Sequence, residues 1–202
     1  MIQGTPEWHA ARCGSVGASR VADVVARVKS GGWGASRANL QAEIIAERLT
    51  GHPTETFKSA AMVHGTETEP QARRAYEFFA DASVVQVGIV PHPALPGTHA
   101  SPDGLVGGDG LLEIKAPQTA THIDTLLSQS VPGKYVTQMQ WQMACTGRAW
   151  CDFASFDPRM PPHLQLFVKR VPRDAALIAS LEKDVAEFLR ETAEKILRLG
   201  AL

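Results

Sequence analysis

The sequence has few cysteines and no long apolar run. Cys13, Cys145 and Cys151 are its only cysteines among 202 residues. An odd number without a Cys-x-x-Cys pair argues against a disulfide framework and a zinc ribbon, and three cysteines cannot ligate a four-cysteine iron–sulfur cluster. No apolar run approaches the ~20 residues of a membrane-spanning helix. Residues 1–7 carry no basic segment followed by an apolar one, which predicts no signal peptide. We therefore expect free thiols and a cytoplasmic protein without a membrane partner.

The chain also lacks the basic excess of many DNA-binding domains. It has 20 lysines and arginines against 21 acidic residues, a net charge of −1 and a pI of about 6.7. Any nucleic-acid site must therefore be a local patch, such as a lined channel or cleft. With 44% hydrophobic residues, the length suits one globular domain over residues 1–202.

Hydrophobic periodicity predicts helices at both ends of the chain and strands between them. Helices are expected over residues 6–12, 19–28, 36–50, 64–79, 119–128, 135–146 and 177–197. Strands are expected over residues 83–90, 101–105, 111–115, 149–156 and 164–171, with a loop over 91–99. This order predicts an α/β (α+β) fold in which a central mixed β-sheet is flanked by helices.

One stretch combines a hairpin signal with acidic and basic side chains. Ser101–Leu105 and Leu111–Lys115 read as short strands joined by a glycine-rich turn. Because side chains alternate along a strand, Glu113 and Lys115 share one face, and Asp103 could meet them there. Paired carboxylates suit Mg²⁺, and an adjacent lysine can orient or deprotonate a water or neutralise charge. An exposed hairpin whose Glu–Lys pair contributes about 0.2–1 kcal/mol would show the same pattern.

Several other residues admit both a structural and a functional interpretation. Thr66-x-x-Glu69 is a capping-box pattern, which favours Glu69 as a helix cap. The same carboxylate could equally be a third one aimed at a metal. The other residues with two interpretations, ordinary packing or surface against a site role, are His64, Trp33, Gln138, Arg12 and Lys29.

Seven short motifs follow one another in the order in which one nuclease family carries them. They are Glu7-Trp8-His9 with Arg12; Ala18-Ser19; His64-Gly65 with Glu69; Ser101-Pro102-Asp103-Gly104-Leu105; Leu112-Glu113-Ile114-Lys115 with Pro117; Gln138-x-Gln140; and Asp157-Pro158-Arg159-Met160. From Glu7 to about Pro161 the chain thus resembles phage lambda exonuclease and the YqaJ-type viral recombination nucleases. This family belongs to the PD-(D/E)xK superfamily.

The resemblance implies a restriction-endonuclease-like core and an alkaline 5′→3′ exonuclease acting on linear double-stranded DNA. Such an enzyme leaves a 3′ single-stranded tail, which a single-strand annealing protein uses in phage-type homologous recombination. It further implies a homotrimeric ring, in which only the channel wall need be basic, and a phage or prophage protein in a bacterial host. Two alternatives stay open: a structure- or sequence-specific endonuclease on the same core, and a catalytically silent DNA-end-binding scaffold.

By position, the resemblance assigns roles to individual residues. Asp103, Glu113 and the backbone carbonyl of Ile114 are implied metal ligands for two Mg²⁺ ions about 4 Å apart, which Mn²⁺ can replace. Lys115 is the implied catalytic lysine. The implied remaining site residues are Glu69 as third acidic group, Gln138 as accessory residue, Arg12, Ser19 and Ser101 at the 5′-terminal phosphate, and Lys29 on the DNA.

The chain departs from the lambda pattern at three positions. His64 replaces a tryptophan and is an open candidate for a metal ligand. Thr121 stands where the lambda protein has an arginine, which puts one DNA contact in doubt. Lys29 keeps the charge of a loop arginine but lacks its bidentate fork.

Overall fold

The computed structural model describes residues 3–54 and 59–202. Met1 and Ile2, part of the segment that predicted no signal peptide, lie outside the described residues. Seven α-helices lie within these ranges: α1 (Pro6–Arg12), α2 (Val21–Val24), α3 (Ala35–Thr50), α4 (Ala60–Ala80), α5 (Thr119–Ser128), α6 (Gly133–Thr146) and α7 (Ala175–Leu199). In this part of the chain no helix is long and apolar enough to cross a bilayer.

Eight strands form two sheets among the described residues. They are β1 (Val16–Gly17), β2 (Val84–Val85), β3 (Val90–Pro91), β4 (Thr98–Ala100), β5 (Gly104–Val106), β6 (Gly110–Lys115), β7 (Trp150–Phe156) and β8 (Leu166–Pro172). The main sheet has the order β2-β5-β6-β7-β8, and a smaller sheet has the order β1-β4-β3. Only β6 and β7 pair in parallel in the main sheet, so the predicted mixed sheet is confirmed. The long α5–α6 connection supplies the crossover that a parallel pair needs.

Alternation along β6 decides which side chains reach each layer. Leu111 belongs to an apolar cluster with Met139 and Met143 of α6. Leu112 and Ile114 belong to a separate cluster with Tyr76 of α4. Odd-numbered β6 residues therefore face α6, and even-numbered ones face α4. Glu113 shares the α6 side, and this decides its partners.

The predicted strand over residues 83–90 is wrong as one element. It divides into β2 and β3, which belong to different sheets, and the predicted loop over 91–99 contains the end of β3 and the start of β4. Gly88 lies in the break, where its carbonyl accepts a hydrogen bond from Ser101 Oγ at 3.1 Å. Because the Gly88 carbonyl is bonded to this side chain, it does not pair with a neighbouring strand, and the β-sheet hydrogen bonding is interrupted here.

The capping box at Thr66 and Glu69 is also wrong, because α4 begins at Ala60, about two turns before the start that this pattern predicts. Ser59 is its N-cap and accepts a hydrogen bond from the Met62 amide. Thr66 Oγ1 donates instead to the carbonyl of Met62 at 3.1 Å, a bond within the helix. Glu69 is therefore a helix-interior residue whose carboxylate is free of any cap role.

The second predicted helix is shorter than expected. A 3₁₀ turn over Ala18–Arg20 leads into α2, which ends at Val24, and Val28 is exposed. The next helix begins at Ala35 behind Gly34 rather than behind a Ser36 cap. The C-terminal amphipathic helix is confirmed as α7.

Candidate active site

The predicted hairpin is present as β5 and β6, but its first strand covers Gly104–Val106 rather than residues 101–105, so Asp103 lies just before the strand. Gly107 adopts a positive φ of 55° at the turn. A Cβ on Gly110 would lie 2.1 Å from the Trp150 ring, so only glycine allows this close approach. Arg148 Nη1 donates to the carbonyls of Gly107 at 3.0 Å and Gly110 at 2.6 Å. At the open end, Asp103 Oδ2 accepts a hydrogen bond from the Ile114 amide at 2.7 Å, which joins the two acidic positions.

Glu113 is the most tightly held side chain of the site. It is 1% exposed. Its Oε1 accepts from Gln138 Nε2 at 2.6 Å and pairs with Lys115 Nζ at 2.5 Å, while Oε2 accepts from Gln142 Nε2 at 2.5 Å. A carboxylate offers about four lone-pair positions. Three donors therefore fix its orientation and still leave it able to ligate a cation.

Negative charge at the site is incompletely balanced. Burial, followed by the charges of Glu113 and Glu69, raises the pKa of Asp103 well above its ordinary value. Burial also raises the pKa of Glu69, against the opposing charge of Arg73. Burial acts to lower the pKa of Lys115, but Glu113 and Asp103 outweigh it and the pKa rises. Lys115 is therefore an ammonium at neutral pH, which suits it to neutralising charge on a phosphate.

Glu69 lines the same cleft from α4 but stands apart from the other two carboxylates. Its Oε1 pairs with Arg73 Nη2 on the next turn. Within residues 3–54 and 59–202, no three His, Cys, Asp or Glu side chains lie close enough together to hold a metal ion. The convergence is thus one of Asp103, Glu113 and Lys115, with Glu69 nearby.

The donor set fits a hard divalent cation. Asp103 and Glu113 present carboxylate oxygens, the ligands that Mg²⁺ prefers. Asp103 Oδ1 receives no hydrogen bond from the described residues. Burial is the first cause of the raised pKa of Asp103 and the charge of Glu113 the second, so a cation here would relieve the repulsion between the two carboxylates. The single positive charge of Lys115 does not balance the negative charges of both carboxylates.

A cleft of about 670 Å³ brings the acidic residues together with three of the predicted DNA-binding residues, Arg12, Ser19 and Ser101. The Arg12 guanidinium lies 4.0 Å from the Trp8 ring centroid, and Trp8 Nε1 donates to Ser101 Oγ at 2.9 Å. Burial, with the charge of Arg20, lowers the pKa of Arg12. Arg12 is therefore a half-buried cation that lines the same cleft as Asp103, Glu113 and Lys115.

Four predicted or queried positions do not line this cleft. Lys29 lies on an exposed loop, and Thr121 is exposed on α5. His64 lies on α4 with Nδ1 3.4 Å from Thr68 Oγ1. Trp33 also lies elsewhere, with guanidinium groups 3.5 Å and 3.8 Å from its ring centroid, those of Arg27 and Arg37.

Sequence reasoning missed four residues at the site. Gln142 binds Glu113, and the other three line the cleft: His99, Lys134 and Tyr135. Lys115 Nζ and Lys134 Nζ lie 5.0 Å and 4.8 Å from the Tyr135 ring centroid. The available signal was the spacing of Gln138 and Gln142, since positions i and i+4 share a helix face.

The fold and the cleft define the class of protein. A mixed sheet flanked by helices is the restriction-endonuclease-like fold of phage-type exonucleases, and the β5–β6 hairpin of this sheet and the segment before it carry Asp103, Glu113 and Lys115. The chain belongs to the family of YqaJ-like viral recombinase domains, whose family model matches residues 7–149.

Solved structures agree with this membership. An alkaline exonuclease (LHK-Exo) from Laribacter hongkongensis is 49% identical, with 98% of this chain and 97% of that chain covered and a TM-score of 0.91. The same enzyme in complex with dAMP is 50% identical, with 96% of each chain covered and a TM-score of 0.90. A phage related exonuclease from Haemophilus somnus 129PT is 15% identical over 92% of this chain and 96% of that chain, with a TM-score of 0.75, and shows the shared fold alone. Among curated protein sequences, none matches.

The predicted family, fold class and enzyme class are confirmed: the chain is a deoxyribonuclease of the recombination exonuclease type.

Proposed function

We propose that the protein is a Mg²⁺-dependent 5′→3′ exonuclease that digests one strand of linear double-stranded DNA and leaves a 3′ single-stranded tail. One observation carries the proposal: a single cleft is lined by Asp103, Glu113 and Lys115 and also by Arg12 and Ser19. A site that grips the end phosphate beside the cutting residues fixes the distance from the 5′ end to the scissile bond. Direction then follows from the geometry of binding.

Asp103 and Glu113 would hold the metal, together with the backbone carbonyl of Ile114. Two Mg²⁺ ions, replaceable by Mn²⁺, are proposed. When bound, Mg²⁺ polarises the phosphoryl oxygens and lowers the pKa of a coordinated water to give a nucleophile near neutral pH. The excess negative charge around the buried Asp103 carboxylate supports this assignment.

The other side chains prepare the cut. Lys115, held against Glu113 at 2.5 Å, places a positive charge where negative charge grows on the phosphate. Gln138 fixes the Glu113 carboxylate. Glu69 has a raised pKa because it is partly buried, and we assign it to orienting the attacking water by a hydrogen bond.

The 5′-terminal phosphate is bound by Arg12 and Ser19 in this proposal. A guanidinium fork and a hydroxyl are suited to phosphate oxygens. Ser101 supports the pocket, because it accepts a hydrogen bond from Trp8, whose ring lies against Arg12. Lys29, on an exposed loop, contacts the DNA outside the cleft.

The biological role follows from the family. We propose that the 3′ tail passes to a single-strand annealing protein in phage-type homologous recombination, in the cytoplasm of a bacterial host. We also propose a homotrimeric ring that encloses the DNA. The net charge of −1 supports it, because a ring needs basic residues only on its channel wall. Light scattering coupled to size-exclusion chromatography tests the ring, and a monomeric mass contradicts it.

Linear duplex carrying an end label on one strand at a time tests the activity. With Mg²⁺, the 5′ label should appear early in mononucleotides, while a 3′ label stays on long products. Covalently closed circular DNA should remain intact, and EDTA should stop release. Cutting of the closed circle would indicate an endonuclease instead, and the absence of nucleotide release would indicate a silent end-binding protein.

A further inference from the structure

Tyr135 lines the cleft, but the proposed mechanism gives it no role. It lies in the first turn of α6, where its amide donates to the Pro132 carbonyl at 2.9 Å. Its hydroxyl makes no hydrogen bond with the described residues. Its ring stacks on the ring of Phe153, with centroids 5.6 Å apart and an interplanar angle of 25°. The ring is therefore held by packing, and the hydroxyl takes no part in holding it.

The stack of Tyr135 on Phe153 lies on the same side of the main sheet as the Glu113–Lys115 pair. Phe153 of β7 is opposite Glu113 of β6 in the strand register. It is 1% exposed and shares an apolar cluster with Leu111. Because Glu113 and Lys115 are two residues apart on one strand, their side chains belong to this side as well. The buried phenyl ring thus supports the Tyr135 ring beside Lys115.

The Lys115 ammonium has two contacts, the Glu113 carboxylate and the Tyr135 ring. Its Nζ is 2.5 Å from Glu113 Oε1 and 5.0 Å from the ring centroid of Tyr135. An ammonium within about 6 Å of an aromatic face is attracted to the ring, more strongly where water is excluded. Lysine has a flexible stem and three N–H groups. The two contacts therefore restrict the ammonium and still leave an N–H group for a phosphate oxygen.

Tyr135 shares one face of α6 with the two glutamines that bind Glu113. Residues three and seven positions apart lie on the same face of a helix. Gln138 and Gln142, which follow Tyr135 at this spacing, donate to Oε1 and Oε2 of Glu113. A single face of α6 thus contacts both members of the Glu113–Lys115 pair.

We propose that Tyr135 is a positioning residue for Lys115: its ring, supported by Phe153, holds the ammonium beside Glu113 and directs it at the scissile phosphate. This inference rests on the proposed function, in which Lys115 neutralises charge on that phosphate. Without the ring, the ammonium can turn toward solvent. The chemical step then slows, because the positive charge is no longer in place before negative charge develops.

Four variants separate the ring from the hydroxyl and from general packing. Tyr135→Phe keeps the ring and removes the hydroxyl. Tyr135→Leu removes the ring, and Tyr135→Met replaces it with a flexible apolar chain that fills irregular space. Phe167→Leu is the matched control. Phe167 packs edge-on against the same Phe153 ring, with centroids 6.5 Å apart, and does not line the cleft.

Single-turnover rates with Mg²⁺ and fluorescence anisotropy in EDTA, on the same linear duplex, separate the chemical step from binding. We expect Tyr135→Leu and Tyr135→Met to lower the single-turnover rate by about tenfold, with little change in DNA affinity. Tyr135→Phe should retain most of the rate. Phe167→Leu should lower the melting temperature and keep the rate. Circular dichroism establishes which variants fold.

A double-mutant cycle tests whether the ring acts through the ammonium. In a Lys115→Ala background, Tyr135→Leu should lower the single-turnover rate no further, because the group that the ring holds is already absent. An equal fall in both backgrounds would show that the ring acts on something other than Lys115, and the inference would be wrong.

The Mg²⁺ concentration for half-maximal cutting provides a second readout. It should be unchanged in Tyr135→Leu, because Gln138 and Gln142 still hold Glu113. A higher Mg²⁺ requirement would overturn the inference, since it would show that the ring only keeps α6 in place.

The remaining outcomes distinguish the inference from the function on which it rests. A normal single-turnover rate in folded Tyr135→Leu overturns the role of the ring and leaves the exonuclease proposal standing. A rate in Tyr135→Phe as low as in Tyr135→Leu also overturns it, because the hydroxyl then carries the effect. If Tyr135→Leu does not fold, Tyr135→Met decides. A wild type that releases no nucleotides from linear duplex overturns the proposed function itself, and the inference with it.

Discussion

Gln142 donates from Nε2 to Oε2 of Glu113 over 2.5 Å, and its side chain is completely buried. Gln138, one helical turn earlier on α6, holds Oε1 at 2.6 Å. Two amides on one helix face thus grip both oxygens of a single carboxylate. Such partners fix the orientation of a ligating carboxylate. We infer that α6 sets the orientation of Glu113 for the metal.

Gln142→Leu should weaken the response to Mg²⁺ more than it weakens the fold. The substitution leaves Oε2 of Glu113 buried with one donor fewer, so the carboxylate can rotate. Loss of such an outer-shell partner typically lowers metal affinity or activity by about 10–100-fold. The Mg²⁺ concentration for half-maximal cutting should rise accordingly. Calorimetric titration with Ca²⁺ measures the affinity without turnover.

Gln140→Leu is the matched control for this prediction. Gln140 lies on the same helix but donates to the Pro172 carbonyl at 2.8 Å and accepts from the Asp174 amide at 2.9 Å. Its loss should lower the melting temperature and leave the Mg²⁺ dependence unchanged. Equal Mg²⁺ dependence in both variants would show that Gln142 has only a packing role.

Lys115→Ala should abolish most cutting while DNA is still bound. The ammonium pairs with Glu113, and in the proposed function it neutralises charge on the phosphate. Removal of one such electrostatic group costs about 10²–10³-fold in rate. Single-turnover rates and anisotropy on the same duplex separate cutting from binding. Near-normal single-turnover rates would contradict the assignment.

Lys134→Ala offers a second lysine for comparison. Lys134 Nζ lies 4.8 Å from the same Tyr135 ring but makes no ion pair with Glu113. We expect it to act on DNA binding alone, with a higher KM and an unchanged kcat. A fall in kcat as large as that of Lys115→Ala would show that the charge of the cleft, rather than one ammonium, carries the effect.

The hairpin could be predicted because its logic is local. Alternation along a strand places Glu113 and Lys115 on one side whatever packs against them. The role of Gln142 could not be predicted in the same way. It depends on which face of α6 meets β6, and that is decided by packing between residues distant in sequence.

Glu69 and the segment over residues 83–90 show where local patterns compete. Thr66 and Glu69 match the capping-box pattern, but the N-cap is Ser59, and the helix that begins there continues through Pro70. The β-rich run around Gly88 is a good strand, but it is shared between two sheets. In both places the local preference is satisfied by more than one structure, and long-range contacts choose between them.

Arg12→Ala should remove the preference for phosphorylated 5′ ends. Arg12 lines the cleft, and its guanidinium is held against the Trp8 ring, so its N–H groups are in place to bind phosphate oxygens. We expect the ratio of rates on 5′-phosphate and 5′-hydroxyl duplexes to fall by about tenfold or more, with little change on hydroxyl ends. The measurement uses matched duplexes under initial-rate conditions.

Arg20→Ala is the control for the loss of a nearby positive charge, because the charge of Arg20 acts on Arg12 although Arg20 itself does not line the cleft. Its guanidinium donates to both oxygens of Glu43 at 3.0 Å and does not line the cleft. This variant should lose stability and keep the preference for phosphate. An unchanged ratio in Arg12→Ala would mean that the 5′-end pocket lies elsewhere.

Asp157→Asn should destabilise the protein in a pH-dependent way. Burial acts to raise the pKa of Asp157, but hydrogen bonds from Arg159 and Thr119 outweigh it and lower the pKa from 3.8 to about 2. A carboxylate whose pKa is lower in the folded state stabilises the fold above its unfolded pKa. This contribution is lost as the pH falls from about 4 toward 2.

Arg159 is exposed, so solvent screens its ion pair with Asp157 and the loss of melting temperature should be small. The gap between Asp157→Asn and the wild type should be present at pH 7 and narrow steadily below pH 4. Asp124→Asn, at an exposed position on α5, should follow the wild type at every pH. A gap that stays constant with pH would show that Asp157 acts through packing rather than through its charge.

Arg159 Nη2 also donates to the Pro117 carbonyl at 3.1 Å, two residues beyond Lys115. Loosening of this pair should therefore lower the cutting rate at temperatures where the fold remains intact.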